Sequence, residues 1–198
     1  MRCFTLVLGT CSLLAACGGD GGPIDPPELI TTVTLTFTPT GGGTAVTAAF
    51  DDPDGPGGAA PVIDPINLPA ASYMLGVRFE NGLETPPEDI TIEVADEADQ
   101  HQLFFIGTAV NGPASDRAGA PLTHAYADRD ANDLPVGLQN TITATAGTGQ
   151  LVVTLRHLPP VNGNPVKTAE LAGTVKTSGL AAIGGESDAM VSFDVTVP

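Results

Sequence analysis

Apolar and polar residues alternate along much of this chain with a period of two. Val33, Leu35 and Phe37 alternate with Thr32, Thr34, Thr36 and Thr38, and beyond Gly41-Gly42-Gly43 the rhythm resumes at Val46, Ala48 and Phe50. Side chains two apart share one face of a strand, so two such runs around a glycine turn predict a hairpin with one buried face. Tyr73, Leu75, Val77 and Phe79 alternate in the same way with Ser72, Met74, Gly76, Arg78 and Glu80. Leu103 to Ile106 is an unbroken apolar run, the pattern of a strand covered on both faces. Further strands are predicted over 121–127, 139–146, 150–157, 169–176 and 189–197. Many short strands separated by Gly, Pro, Asn and Asp predict a mainly β chain, folded as an antiparallel immunoglobulin-like β-sandwich.

One segment departs from that period. Thr85-Pro86-Pro87-Glu88 has the form of a capping box, with Ile90, Val94 and Ala98 following at a spacing of four. This predicts a short acidic helix over 86–98. The alternation of Ile90, Ile92 and Val94 is the competing strand reading.

The first 28 residues follow neither pattern. Met1-Arg2 precedes an apolar stretch from Phe4 to Leu14, then Ala15-Ala16-Cys17. A basic start, a short apolar run and small residues form an export signal, and about a dozen apolar residues are too few to span a bilayer. A cysteine directly after the small residues resembles the lipobox of bacterial lipoproteins. That resemblance implies cleavage before Cys17, acylation of its thiol, and a lipid anchor in the cell envelope. Gly18 rather than aspartate after the cysteine implies the outer membrane. Residues 17–28 are then the acylated cysteine and a Gly- and Pro-rich tether, whose eleven residues 18–28 fully extended reach roughly 35–40 Å. Residues 29–198 are then one β-sandwich domain.

Charge narrows the partners. Removing residues 1–16 takes Arg2 with it and leaves six basic residues against 23 acidic ones, a formal charge of −17. Such a surface repels nucleic acid and attracts cations. All three cysteines, Cys3, Cys11 and Cys17, lie in the signal or at its cut, so the domain has no thiol for a disulfide, a nucleophile or a thiolate metal site. Nucleophile-elbow, phosphate-loop, dinucleotide and zinc-protease motifs are absent, and the chain is not expected to be an enzyme.

Metal ligation must therefore draw on histidine and carboxylate. Glu93, Glu97 and His101 stand at successive spacings of four and would share one face if the helix ran that far. His157 alternates onto the face of Leu151, Val153 and Leu155, and antiparallel pairing of two strand ends could bring it to His101. These four residues are the candidate zinc ligands, set against a solvated acidic face and a core histidine. His124 is a third histidine between Thr123 and Ala125. Asp128, Asp130, Asn132 and Asp133 place oxygens in the manner of a calcium loop, as Asp52-Pro53-Asp54-Gly55 does more weakly. Asp133 stands where such a loop has glycine, and Asp and Asn are also ordinary turn residues.

Several stretches resemble a group of small exported lipoproteins of Bacteroidota and other bacteria. They include residues 30–39 with the glycine turn, Asp52-Pro53-Asp54-Gly55, Ala98-Asp99-Gln100-His101-Gln102, Tyr126-Ala127-Asp128-Arg129-Asp130-Ala131-Asn132, Leu155-Arg156-His157 and Gly184-Gly185-Glu186-Ser187-Asp188. Some members are described as type 1 periplasmic binding folds, an α/β architecture unlike the strand pattern here. Some are encoded near TonB-dependent receptors. The resemblance implies an envelope-anchored binding module for a metal ion or metal-containing nutrient, delivered to an outer-membrane receptor. The alternative is a structural or protein-interaction module with no small ligand.

Overall fold

The computed structural model describes residues 28–198; the signal, Cys17 and most of the tether lie outside the described residues. The chain is mainly β. Strands β1 (Thr32–Pro39) and β2 (Val46–Asp51) form the expected hairpin, with Leu35 opposite Ala48 and Phe37 opposite Val46. Gly42 and Gly43 take φ of 84° and 123° in its turn, a region that other residues enter at a cost.

Next come β3 (Val62–Ile63), β4 (Ile66–Asn67), β5 (Ser72–Glu80), helix α1 (Ile90–Asp96), β6 (His101–Ile106) and β7 (Val110–Asn111). The chain continues through β8 (Leu122–Tyr126), β9 (Gln139–Ala144), β10 (Gly147–His157), helix α2 (Leu171–Ser178) and β11 (Glu186–Val197). They form a seven-stranded sheet, β3-β2-β1-β5-β9-β8-β7, and a four-stranded sheet, β4-β11-β10-β6. Neighbours are antiparallel except β7–β8 and β4–β11.

One buried cluster draws on both sheets. Leu35, Phe37, Leu75 and Phe79 come from the larger, and Leu103, Phe105, Leu151, Val153 and Phe193 from the smaller. Each large apolar side chain removed from water contributes roughly 1.5–3 kcal/mol. A second cluster lies on the other face of the smaller sheet, where Phe104 and Leu158 meet Leu171, Ala172, Val175 and Ile183. Two apolar faces on β6 explain its unbroken hydrophobic run.

Two expectations are corrected. Residues 169–176 are not a strand: Leu171, Ala172 and Val175 form the stripe of α2 that covers Phe104. Three apolar residues spaced one and then three apart lie together on a helix but are split across a strand. The α1 helix also starts later than the capping box implied. Glu88 exchanges two backbone hydrogen bonds with Asn81 (3.0 and 3.1 Å), which holds it in an extended bridge. Asp89 is the N-cap instead, its Oδ1 accepting from Thr91 N at 3.1 Å. Ile90 and Val94 are buried and Ile92 is exposed, which is the helical reading of that segment. A 3-10 turn over Ala98–Gln100 then delivers the chain to β6. The start of β6, the end of β10 and the start of β11 lie at one end of the smaller sheet.

Candidate metal centre

Three of the four residues read as zinc ligands converge at that end. His101 and His157 are direct cross-strand partners on β6 and β10. Their rings stack at 4.7 Å between centroids, 11° from parallel. Glu97 reaches them from the turn after α1, and one donor atom from each of the three lies within 4.8 Å of the others. Donors around a tetrahedral zinc with bonds of about 2.0–2.1 Å stand about 3.3–3.4 Å apart. They are brought together by register. The helix itself ends at Asp96, before His101.

A fourth group was not foreseen. Simple alternation along β11 puts Asp188 with Met190 and Ser192 on the outer face. The register instead jumps there: Leu155 pairs with Ala189, but Arg156 pairs with Ser187. Asp188 is the extra residue of a β-bulge, a device that re-aims a side chain. Ser187 turns outward to Arg156, whose Nη1 donates to its Oγ at 2.9 Å and whose Nε donates to Gly184 O at 3.1 Å. Asp188 turns inward, where its side chain is 1 % exposed and Oδ2 stands 3.8 Å from His101 Nε2. That is too long for a hydrogen bond.

Burial sets the electrostatics of this cluster. His101 Nδ1 lies 3.1 Å from the backbone carbonyl of Glu97. A carbonyl only accepts, so Nδ1 carries the proton and Nε2 presents its lone pair to the cluster. This orienting contact is the kind that metal-bound histidines use. Burial pushes His101 down to about 4, and the neighbouring His157 adds to the shift. Burial likewise pushes Asp188 up to about 6, against the opposing pull of His157. His101 Nε2 and both Asp188 carboxylate oxygens are buried without a hydrogen-bond partner. Such groups each cost about 1–3 kcal/mol in a fold.

Glu93, the fourth expected ligand, is exposed on α1 one turn before Glu97. Desolvation and then Glu93 push Glu28 up to about 7.

The calcium-loop reading has no such convergence among the described residues. Asp128 accepts from Gly137 N and Gln139 N at 2.7 and 2.9 Å. Asp130 Oδ1 accepts from Asn132 N and Leu134 N at 2.8 and 2.9 Å, and Oδ2 meets Lys167 Nζ at 2.8 Å. Burial works to raise Asp130, but Lys167 and those amides hold it below the usual carboxylate range. Asn132 is exposed, and Asp133 turns out to Arg129 at 3.6 Å with φ of 61°. The oxygens serve the loop's own amides and a lysine. In the weaker turn, Asp54 accepts from Ala59 N at 2.8 Å. His124 is a core histidine, 3 % exposed, its Nε2 donating to Asn140 Oδ1 at 2.9 Å.

No protein-family model, curated protein or solved structure matches this chain. The reading of the site rests on its geometry.

Proposed function

We propose that Glu97, His101, His157 and Asp188 bind a divalent first-row transition metal, with zinc the reference ion. One observation carries this: His101 Nε2 and both Asp188 oxygens are buried without a hydrogen-bond partner, 3.8 Å apart at the nearest, and His101 also belongs to a set with Glu97 and His157 whose donor atoms lie within 4.8 Å of one another. Two neutral imidazoles and two carboxylates cancel the charge of a divalent ion, which removes the cost of burying any of them alone. Imidazole nitrogen suits zinc and its neighbours, whereas calcium selects oxygen ligands.

With the export signal and Cys17, this makes the chain an envelope-anchored metal-binding module that hands its ion to an outer-membrane receptor. We read its two sheets as an immunoglobulin-like β-sandwich. The test is calorimetric titration of the purified, chelator-stripped chain with zinc, beside His101→Ala and His157→Ala. Wild-type binding on the order of 1 μM or tighter, lost in both variants, is expected. Binding weaker than about 100 μM, or equal binding by the variants, removes the site and leaves an envelope structural module.

A further inference from the structure

Six basic side chains, all Arg or Lys, stand among the described residues. Arg78 pairs with Glu80 and Asp89, Arg129 with Asp133, and Lys167 with Asp130. Arg156 donates to Ser187 and Gly184. The side chains of Arg117 and Lys176 have no ion pair or hydrogen bond among the described residues. Both line one cleft of about 470 Å³, a size that suits a small organic molecule. In an acidic chain, two unneutralised cations at one cleft are a local reversal of charge.

The cleft lies where the end of β6, the outer face of β10, the 114–117 turn and the last turn of α2 meet. Ile106, Val152 and Val175 give it one apolar wall. His101 begins β6 and Ile106 ends it, so roughly 17 Å of strand separates this cleft from the metal centre. Fixed backbone presents both cations. Arg117 N donates to Asn111 Oδ1 at 3.2 Å, and Arg117 O accepts from Ala120 N at 3.1 Å. Lys176 stands in the last turn of α2, which Gly179 N closes by donating to Val175 O at 2.9 Å. Only the two side chains have to settle on a ligand, which limits the entropy lost on binding.

Asp116 is the one carboxylate in the lining. Two cations and one carboxylate leave a single net positive charge, which one carboxylate of a ligand neutralises. A second anionic group would meet Asp116 and be opposed by it.

We propose that this cleft is a second binding site, for a small monocarboxylate with an apolar body. Arg117 and Lys176 hold the carboxylate, the guanidinium as a fork and the ammonium as a point charge. Ile106, Val152 and Val175 hold the carbon chain. The site does not depend on the metal reading.

The test titrates the chelator-stripped chain with hexanoate at physiological salt and follows backbone amide shifts by NMR. Beside it stand the neutral isostere hexanamide and the double variant Arg117→Gln/Lys176→Gln. Both replaced side chains are exposed, so the variant keeps the fold. Hexanoate should shift the amides of residues 106–107, 114–117 and 175–179 saturably, with a Kd on the order of 1 mM or tighter. Hexanamide should bind at least about tenfold more weakly, and the variant should lose hexanoate affinity by a similar factor. The site is overturned if hexanoate gives no saturable shift, or shifts centred on His101 and His157 instead. It is equally overturned if hexanamide binds as well as hexanoate, or if the variant binds hexanoate like the wild type.

Discussion

Lys167 Nζ lies 2.8 Å from Asp130 Oδ2, and both side chains are 1 % exposed. The ammonium also donates to Ala98 O at 2.7 Å, so one buried charge ties the acidic turn to the exit of α1 beside Glu97. Removing one partner of a buried pair leaves the other uncompensated, which costs about 3–5 kcal/mol. Lys167→Met should lose about that much in urea unfolding. The double variant Lys167→Met/Asp130→Asn should lose less than the two single losses added. Additivity within about 0.5 kcal/mol would mean the pair is not coupled.

Asp188→Asn should move stability and metal affinity in opposite directions. The folded carboxyl is raised above its unfolded value of 3.8 to about 6, so its penalty is present above pH 6 and disappears as pH falls. At pH 8 the metal-free variant should be more stable by about 1–2 kcal/mol, because a neutral amide costs less to bury than an unpartnered carboxylate. Zinc affinity should fall at least about tenfold, as for loss of a ligand. A metal-free variant that is less stable and binds zinc as well as wild type would make Asp188 a structural residue.

Buried histidines and carboxylates pull the pH dependence against each other. Burial holds His101 and His124 near 4, below the unfolded value of 6.5, so their stability is present above 6.5 and is lost as pH falls toward 4. Glu28 and Asp188 are raised to about 7 and about 6, so they favour the fold as pH falls through the same window. The wild type should therefore vary little between pH 4.5 and 6.5. In His124→Gln one opposing group is gone. The stability gap between wild type and variant should then shrink by about 3 kcal/mol from pH 7.5 to 4, read from denaturant midpoints. A gap independent of pH would mean that His124 is not held neutral by the fold.

Alternation and position placed both histidines at strand ends, but the register that pairs them was not legible in the sequence. Nor could the sequence carry Asp188. A bulge adds one residue and inverts parity, and the clasp that sets it, Arg156 on Ser187 and Gly184, spans strands. The partner of Asp130 was hidden for a related reason: it is a lysine that arrives from a later loop. Leu171 and Val175 alone fit both periods; Ala172 and the apolar face of Phe104 select the helix. Long alternating runs such as β1 and β5 were legible throughout, since each has one buried face and tolerates no other register.

Gly163 and Gly185 share nearly the same backbone, φ of 74° and 76°, in opposite surroundings. A Cβ at Gly163 meets open space, so Gly163→Ala should cost only the left-handed penalty of about 1–2 kcal/mol. A Cβ at Gly185 runs into the carbonyl of His157 and lies 2.9 Å from Leu158 Cδ2. Gly185 leads into β11 just before the bulge, so the closeness of its backbone to β10 helps place Asp188 beside His101. Gly185→Ala must push those strand ends apart. Its cost should reach roughly 3 kcal/mol or more, as for other strained backbone positions. Zinc titration at a temperature where circular dichroism shows both variants folded separates the cases. Affinity should fall in Gly185→Ala and stay at the wild-type value in Gly163→Ala. Equal affinity in both would show that the bulge does not set the ligand geometry.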